Sequence, residues 1–284
     1  MSQPLVTVGI PTYNRPDSLA ECLRKIIKQT YTHLDIFISD NHSPNPDVAK
    51  VLEEFAQKDT RIRYVIQEHN IEAEPNFNFV YANARGDYFI WLSDDDSFQD
   101  DYIERCVEYL LQHPEYVSCA GVSTYFSKGV EVSREKRFAI ENKSRLARFF
   151  NYFYHVSKNG IFYGVFQRKF LSENPIGKFV GSDWNVVAHL ALQGKIQVLQ
   201  DVCMYRSLDG GSATRSSMIK RWKLSKFQTL FFETYACYKV CEHIFYDPKG
   251  AAHFNYATQK IIQGILFIFL NVKFLLNSIR IRLK

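Results

Sequence analysis

The most constraining feature of this chain is a rhythm in its first 126 residues: short apolar runs alternate with helix-like segments, and each run stops at a polar cluster. Leu5 to Ile10 is followed by Pro11 and the turn-like Tyr13-Asn14-Arg15-Pro16, and Leu34 to Ser39 runs into Asp40-Asn41-His42-Ser43-Pro44. Ile62 to Gln67 leads to Asn70, and Tyr88 to Leu92 ends at Asp94-Asp95-Asp96. Between the runs, Leu19, Cys22, Leu23, Ile26 and Ile27 form one helical stripe behind a Ser18/Glu21 capping box, and further helices are expected near Asp47 to Gln57 and Asn76 to Ala84. Strands joined through helices run parallel, because the crossover returns the chain to the same edge. In an open sheet of this kind ligands bind at the carboxyl ends of the strands, where all these polar clusters fall.

Beyond this repeat the pattern predicts a helix from Asp100 to Gln112, a strand from Tyr116 to Phe126, a helix from Asp183 to Gln193 stopped by Gly194, and a short strand from Ile196 to Leu199. Ser127 to Arg148 is rich in charge and poor in pattern and reads as a surface connection into an aromatic-rich helix. No repeat of fixed period is present, which argues against solenoids and propellers. With 284 residues, 46% of them hydrophobic and 15% aromatic, the chain can bury a large core.

Six cysteines without a C-x-x-C pair argue against a zinc ribbon or disulfide framework, and the chain enters LVTVGI without the charged and apolar regions of a signal peptide. A cytoplasmic protein is expected. The net charge of +5 is modest and gives no expectation of a nucleic-acid partner, but beyond Asp247 the chain carries Lys249, Lys260, Lys273, Arg280, Arg282 and Lys284 and no acidic side chain. The run IIQGILFIFLNVKFLL from Ile261 is short for a spanning helix and is interrupted by Gln263, Asn271 and Lys273. It reads equally as an interfacial helix, peripheral on the cytoplasmic face of the inner membrane, or as a core or dimer-forming helix.

Three adjacent carboxylates raise one another's pKa unless a cation or donors compensate. A hard divalent cation, Mn2+ or Mg2+, takes one or two carboxylates together with substrate phosphates and water. Taken alone, the triplet is explained equally well as an acidic turn. The ordered set Pro11-Thr12-Tyr13-Asn14-Arg15, Asp40-Asn41-His42-Ser43, Asn70 and Asp94-Asp95-Asp96 moves that balance, because it resembles an inverting family 2 glycosyltransferase of the GT-A fold. The tract IEAEPNFNFVYANARGDYFIWLSDDD is similar to the abequosyltransferase-like branch that builds bacterial surface polysaccharides.

The resemblance covers roughly residues 4 to 210. It implies an α/β, Rossmann-like mixed sheet flanked by helices, with a glycosyltransferase domain over 1–215 (nucleotide-sugar half about 1–126, acceptor half about 127–215) and a helical extension over 216–284. It further implies a nucleotide-sugar donor, UDP- or dTDP-linked, and a glycan or lipid-linked glycan acceptor. Pro11, Thr12, Tyr13 and Arg15 would border the nucleotide, Asp40 would read its base edge or ribose, and Asn70 would lie beside them. Asp94 would face the ribose and Asp95 would ligate the metal, with Asp96 a second candidate ligand. The family usually has an acidic residue where Ser93 stands.

Inversion requires a base for the acceptor hydroxyl, and Asp183 matches that position, with Ser182 replacing the family's Glu; the bland alternative for Asp183 is helix capping. Trp184 would stack on an acceptor sugar. Arg206 or Arg215, in what resembles a late loop over the diphosphate, would contact phosphate oxygens, or the Gly-rich stretch is a plain turn. The His that many relatives carry there is absent between Asp201 and Arg215. A sugar-phosphate nucleotidyltransferase and a catalytically silent carbohydrate-binding protein on the same fold are the competing readings. PTYNRP lacks the Gly-rich basic loop the first would need.

Overall fold

The computed structural model describes residues 3–136, 138–209 and 215–282. The alternating repeat forms as expected: β1 (Val6–Thr12), α1 (Pro16–Ile26), β2 (Leu34–Asp40), α2 (Pro46–Lys58), β3 (Ile62–Ile66), α3 (Ala73–Ala82) and β4 (Tyr88–Trp91). β1 pairs in parallel with both β2 and β4, and β3 pairs in parallel with β2. All seven residues of β1 and of β2 are buried, as strands covered by helices on both faces must be. Gly9 is required in β1, since a Cβ there would stand 2.5 Å from the Phe89 ring.

The second half continues the same sheet in mixed sense. β5 (Ser97–Phe98), α4 (Tyr102–Gln112), β6 (Tyr116–Ser127), β7 (Val130–Arg134), α5 (Arg145–His155) and β8 (Val165–Gln167) precede α6 (Ser182–Gln193) and β9 (Lys195–Ser207). The order is β3-β2-β1-β4-β8-β6-β9-β5, with β7 hairpinned onto β6. The C-terminal helices are α7 (Arg215–Arg221), α8 (Lys226–Leu230), α9 (Phe232–Glu242), α10 (Pro248–Ala251) and α11 (Tyr256–Arg282). Ile262, Leu266 and Leu270 of α11 and Val240 of α9 join the hydrophobic cluster that also holds Val6 and Ile10, so these helices are packed onto the sheet domain.

Three expectations are corrected. The Ser18/Glu21 capping box does not form: α1 starts at Pro16, its N-cap is Arg15, and no side chain caps it. Pro supplies the helical φ at the first turn, which frees Arg15 for other partners. The stretch from Ser127 is not all connection but turns through Lys128 (φ 50) and Gly129 (φ 76) into β7, and the helix begins at Arg145 behind the N-cap Ser144. The short strand near Leu199 is instead the long β9, so Tyr205 and Arg206 stand in a strand and not in a loop. Gly210 to Thr214 lie outside the described residues, as does the side chain of Arg215.

Trp91 packs in the sheet as expected, stacked on Phe162 with centroids 4.7 Å apart, its indole donating to Phe77 O at 3.1 Å. Truncating it to alanine would cost about 3–5 kcal/mol.

Candidate active site

Strand register assembles the site. Gly9 of β1 sits opposite Trp91, the last residue of β4, so Thr12 and Asp94, each three residues further along the chain, meet at the carboxyl edge. Thr12 Oγ1 donates to Asp94 Oδ2 at 2.7 Å. Ser97 of β5 is paired antiparallel with Tyr205 of β9, which sets Asp96 beside Arg206. Arg206 Nε reaches Asp96 Oδ2 at 3.2 Å, and the Ser207 amide donates to Asp96 Oδ1 at 2.9 Å. Arg15, released from capping duty, places Nη1 3.2 Å from Asp94 Oδ1 and 2.7 Å from Asp95 Oδ2.

The triplet is therefore divided. Asp94 and Asp96 are buried with both oxygens engaged, whereas Asp95 Oδ1 has no partner among the described residues. Burial pushes Asp94 up to about 6 against the pull of Arg15 and Thr12. Burial likewise pushes Asp96 up to about 7 against Arg206. Burial would lower the basicity of Arg206, but the Tyr163 hydroxyl and Asp96 beside it raise it instead. Arg206 Nη2 donates to Tyr163 Oη at 3.2 Å, and that hydroxyl also contacts Ser93 Oγ at 3.1 Å.

Asp183 lies across the same cleft, which has a volume of about 660 Å³ and is lined by Arg15, the Asp triplet, Asp183 and Arg206. It is not the helix cap: that position belongs to Gly181, whose φ of 84 suits glycine, and no side chain bonds there. Asn159 Nδ2 donates to Asp183 Oδ2 at 2.7 Å, and Tyr152 Oη donates in turn to Asn159 Oδ1 at 2.8 Å. Burial raises the Asp183 pKa, opposed by Asn159, Arg206 and the first amides of α6. A carboxylate held this way gains affinity for a proton.

The remaining expected residues divide between cleft and rim. Pro11 and Trp184 line the cleft, the Trp184 ring lying 6.3 Å from Phe274 of α11 at an interplanar angle of 13°. Thr12, Tyr13, Asp40 and Asn70 do not line it. Both Asp40 oxygens are taken by the Ser43 amide (3.2 Å) and hydroxyl, and Asn70 Oδ1 accepts from Asn41 Nδ2 (3.1 Å) and Glu72 N (2.9 Å). They build the strand-end rim beside the exposed Tyr13. Not anticipated were Asn159 and Tyr163, which hold Asp183 and Arg206, and Met218, Arg221 and Trp222 of the helical extension, which also line the cleft. Arg221 is ion-paired with Glu74 of α3.

A sequence profile described as glycosyl transferase family 2 matches residues 7–174, more than half of the 284. The chain belongs to that family. Glycosyltransferase GlyA of Streptococcus pneumoniae serotype 4 is 31% identical over 122 residues, covering 43% of this chain and 17% of that protein. The putative teichuronic acid biosynthesis glycosyltransferase TuaG of Bacillus subtilis strain 168 is 26% identical over 132 residues, 46% of this chain and 52% of that one. The matches thus span about half or less of these relatives.

Among solved structures, S. aureus TarS 1-349 in complex with UDP-GlcNAc superposes with a TM-score of 0.57 at 17% identity, covering 84% of this chain and 72% of that chain. The mannosyltransferase PcManGT of Pyrobaculum calidifontis, in complex with GDP-Man and Mn2+, gives 0.57 at 15% identity over 98% and 76%. The expected mixed α/β GT-A fold is the observed one.

The burial of Asp96 has a measurable consequence. Its folded pKa lies above the unfolded value of 3.8, so its contribution to stability is complete below that value and is lost as pH rises through about 7. Buried histidines such as His189 are shifted the other way, so the comparison is with Asp96→Asn, which leaves them unchanged. Between pH 5 and pH 8 the metal-free wild type should lose on the order of 2 kcal/mol relative to Asp96→Asn by denaturant titration. Parallel stability curves for the two proteins would refute this.

Proposed function

We propose that the chain is a metal-dependent inverting glycosyltransferase that moves a hexosyl or deoxyhexosyl group from a UDP- or dTDP-linked donor to a hydroxyl of a glycan or lipid-linked glycan in bacterial surface polysaccharide assembly. The observation that carries this reading is one cleft with the carboxylates of Asp94, Asp95 and Asp96 on one side and a buried, hydrogen-bonded carboxylate, Asp183, on the other. Among the described residues no group of three or more His, Cys, Asp or Glu forms a protein-only metal cage. An oxygen donor set of one or two carboxylates fits Mn2+ or Mg2+ that shares its shell with a diphosphate, with Asp95 as first ligand and Asp96 second. Bound there, the cation would offset charge on the departing nucleoside diphosphate.

The chain's own residues do the rest. Asp183 Oδ1 takes the proton of the acceptor hydroxyl as its oxygen attacks the anomeric carbon, in a single in-line displacement without a covalent intermediate. Asn159 and the start of α6 fix the carboxylate's direction. Arg206 is held by Asp96 and Tyr163 with its charge toward the cleft, where it supports developing negative charge on phosphate oxygens. Asp94, anchored by Thr12, would meet the ribose, Thr12, Tyr13, Asp40 and Asn70 form the rim for the base, and Trp184 offers a ring to the acceptor. The test is a panel of UDP-, dTDP- and GDP-sugars in thermal shift with and without Mn2+: one donor class should stabilise the protein only when the metal is present. Equal, metal-independent responses across the panel would contradict the reading.

The acceptor's lipid-linked character is supported by α11. Its Ile262, Leu266 and Leu270 are buried, while Ile261, Ile265, Ile268, Val272 and Leu276 are exposed along the opposite face at helical spacing. Tyr256–Asn277 is apolar and long enough to cross a membrane by length and composition alone, but its packed face suits lying on the surface instead. Two of the basic residues counted there are engaged inside the protein: Lys273 Nζ donates to the Phe153 and Val156 carbonyls (2.7 and 2.6 Å), and Lys249 Nζ to those of Lys169 and Leu171 (2.8 and 2.7 Å). Lys260 remains for anionic headgroups, and the sequence adds Arg280, Arg282 and Lys284, which lie outside the described side chains. Wild type should float with phosphatidylglycerol-containing vesicles and Ile265→Glu/Ile268→Glu should not. If neither floats and light scattering gives a dimer only for wild type, the stripe is a subunit interface instead.

A further inference from the structure

The β6–β7 hairpin ends against the stretch of chain that holds the candidate base. Glu135, the residue after β7, is fixed to the sheet by its own amide, which donates to Ser123 O of β6 at 2.9 Å. Its carboxylate reaches segment 157–160, which joins the end of α5 to the 3-10 turn Gly160–Tyr163. Glu135 Oε1 accepts from the Lys158 amide at 3.2 Å and from Ser157 Oγ at 3.4 Å, and Oε2 accepts from the Gly160 amide at 3.2 Å. Between those two amides lies Asn159, in the left-handed region at φ 55, and N–H groups that flank such a residue converge on one anion. Gly160 is required beside it, because a Cβ there would stand 2.0 Å from Ser123 Oγ and 2.2 Å from Glu135 Oε2.

The segment serves both halves of the site. Asn159 Nδ2 donates to Asp183 Oδ2 at 2.7 Å, while the Lys158 carbonyl lies 3.5 Å from Arg206 Nη1. A non-glycine residue keeps a left-handed backbone only where its surroundings impose it. Here Tyr152 Oη donates to Asn159 Oδ1 at 2.8 Å and so fixes the side chain, Lys273 Nζ holds the Val156 carbonyl just before the segment at 2.6 Å, and Glu135 holds the backbone on either side of Asn159. Burial pushes the Glu135 carboxyl up, and the Lys158 amide, the Arg206 charge, the Gly160 amide and the Tyr125 hydroxyl draw it back. The side-chain type matters, since each Glu135 oxygen meets an N–H donor. Glutamine would set its own NH2 group against one of the two amides and lose that bond.

We propose that Glu135 is a positioning residue: by holding the Lys158 and Gly160 amides it sets the left-handed turn at Asn159, and through Asn159 it aims the Asp183 carboxylate. The inference rests on the sugar-transfer reading above, in which Asp183 is the base. The experiment is a ¹³C NMR titration of the full chain, metal-free and carrying ¹³Cγ-aspartate, with the Asp183 signal identified by its loss in Asp183→Asn. Removing the Glu135 charge would by itself lower the Asp183 midpoint, whereas a loosened Asn159 raises it, because the Asn159 amide favours the ionised carboxylate. Arg206 and the Tyr152 and Tyr163 hydroxyls, the other groups facing Asp183, are the same in every variant. Glu135→Gln should raise the midpoint by about half a pH unit or more, and Glu135→Gln added to Asn159→Ala should bring no further rise. Glu135→Asp keeps the charge but is too short to span both amides, so it should raise the midpoint as well, and it decides the matter if melting shows that Glu135→Gln is not folded. An unchanged or lowered midpoint in the folded variant overturns the proposal. Nucleoside diphosphate release from the nucleotide sugar that stabilises the protein, with water as acceptor, is measured separately. Glu135→Gln should slow it about tenfold or more with the donor's Kd within about twofold, and wild-type release by that variant would also overturn the proposal. No release by the wild type would instead sink the sugar-transfer reading and leave the titration to decide whether Glu135 positions Asp183.

Discussion

Asp183→Asn is expected to lower the transfer rate about a thousandfold while the donor's Kd stays within about twofold, since a positioned base contributes roughly 10²–10⁴ to proton removal. The substitution is isosteric and Asn159 still has an oxygen to bond, so the loss reports the missing proton acceptor and not a collapsed site. Burial raises the Asp183 pKa and the Asn159 amide pulls it back, so the rate should fall on the acid side as the carboxylate is protonated. In Asp183→Asn that acid limb disappears. Near-normal transfer by this variant would remove Asp183 from the chemistry and leave it the structural role of joining α6 to segment 157–160.

Asp95→Ala should abolish the dependence of donor affinity on Mn2+ and reduce kcat/KM by about a thousandfold, roughly 4 kcal/mol of lost stabilisation of the departing diphosphate. The geometry explains why this member of the triplet has the larger effect. Asp94 is committed to Thr12 and Arg15, and Asp96 to Arg206 and the Ser207 amide, whereas Asp95, which lines the cleft, has one oxygen without a partner among the described residues. Arg15 Nη1 bridges Asp94 and Asp95, so its guanidinium sits where a cation would compensate both. A cation held by Asp95 would compete with Arg15 for that carboxylate. Isothermal titration with Mn2+ and each candidate nucleoside diphosphate checks this, and undiminished metal-dependent binding in Asp95→Ala would transfer the ligand role to Asp96.

The parallel half of the fold was legible because each strand carries an uninterrupted apolar run and each run ends in residues that cannot stay in a buried strand. The same logic located Asp94, Asp95 and Asp96 at the carboxyl edge, and parallel register brings Asp94 to Thr12, a contact the pattern alone did not state. Less legible was β9: the register shift opposite Gly121 and Val122, around Gln200 and Asp201, breaks the apolar alternation and makes the strand seem to end at Leu199. β7 was missed because Val130 and Val132 are exposed in a charged stretch, although Gly129 marked the turn. Ser18 and Glu21 had the spacing of a capping box, but Pro16 starts the helix earlier and the pair falls inside it. Asn159 and Tyr163 carried no signal, since a left-handed asparagine and a buried phenol acquire meaning only through what tertiary packing sets beside them. The approach of α7 and α9 to the cleft was hidden for the same reason: an amphipathic pattern states that a face is covered, not by what.

The central claim is tested most directly by ³¹P NMR of the chain incubated with Mg2+ and the nucleotide sugar that stabilises it. With water standing in for the acceptor hydroxyl, the account predicts steady appearance of nucleoside diphosphate resonances, slowed about a thousandfold in Asp95→Ala and in Asp183→Asn. Release of pyrophosphate would contradict it in favour of nucleotidyl transfer, and an unchanged donor spectrum would contradict it in favour of a protein that binds sugars without transferring them.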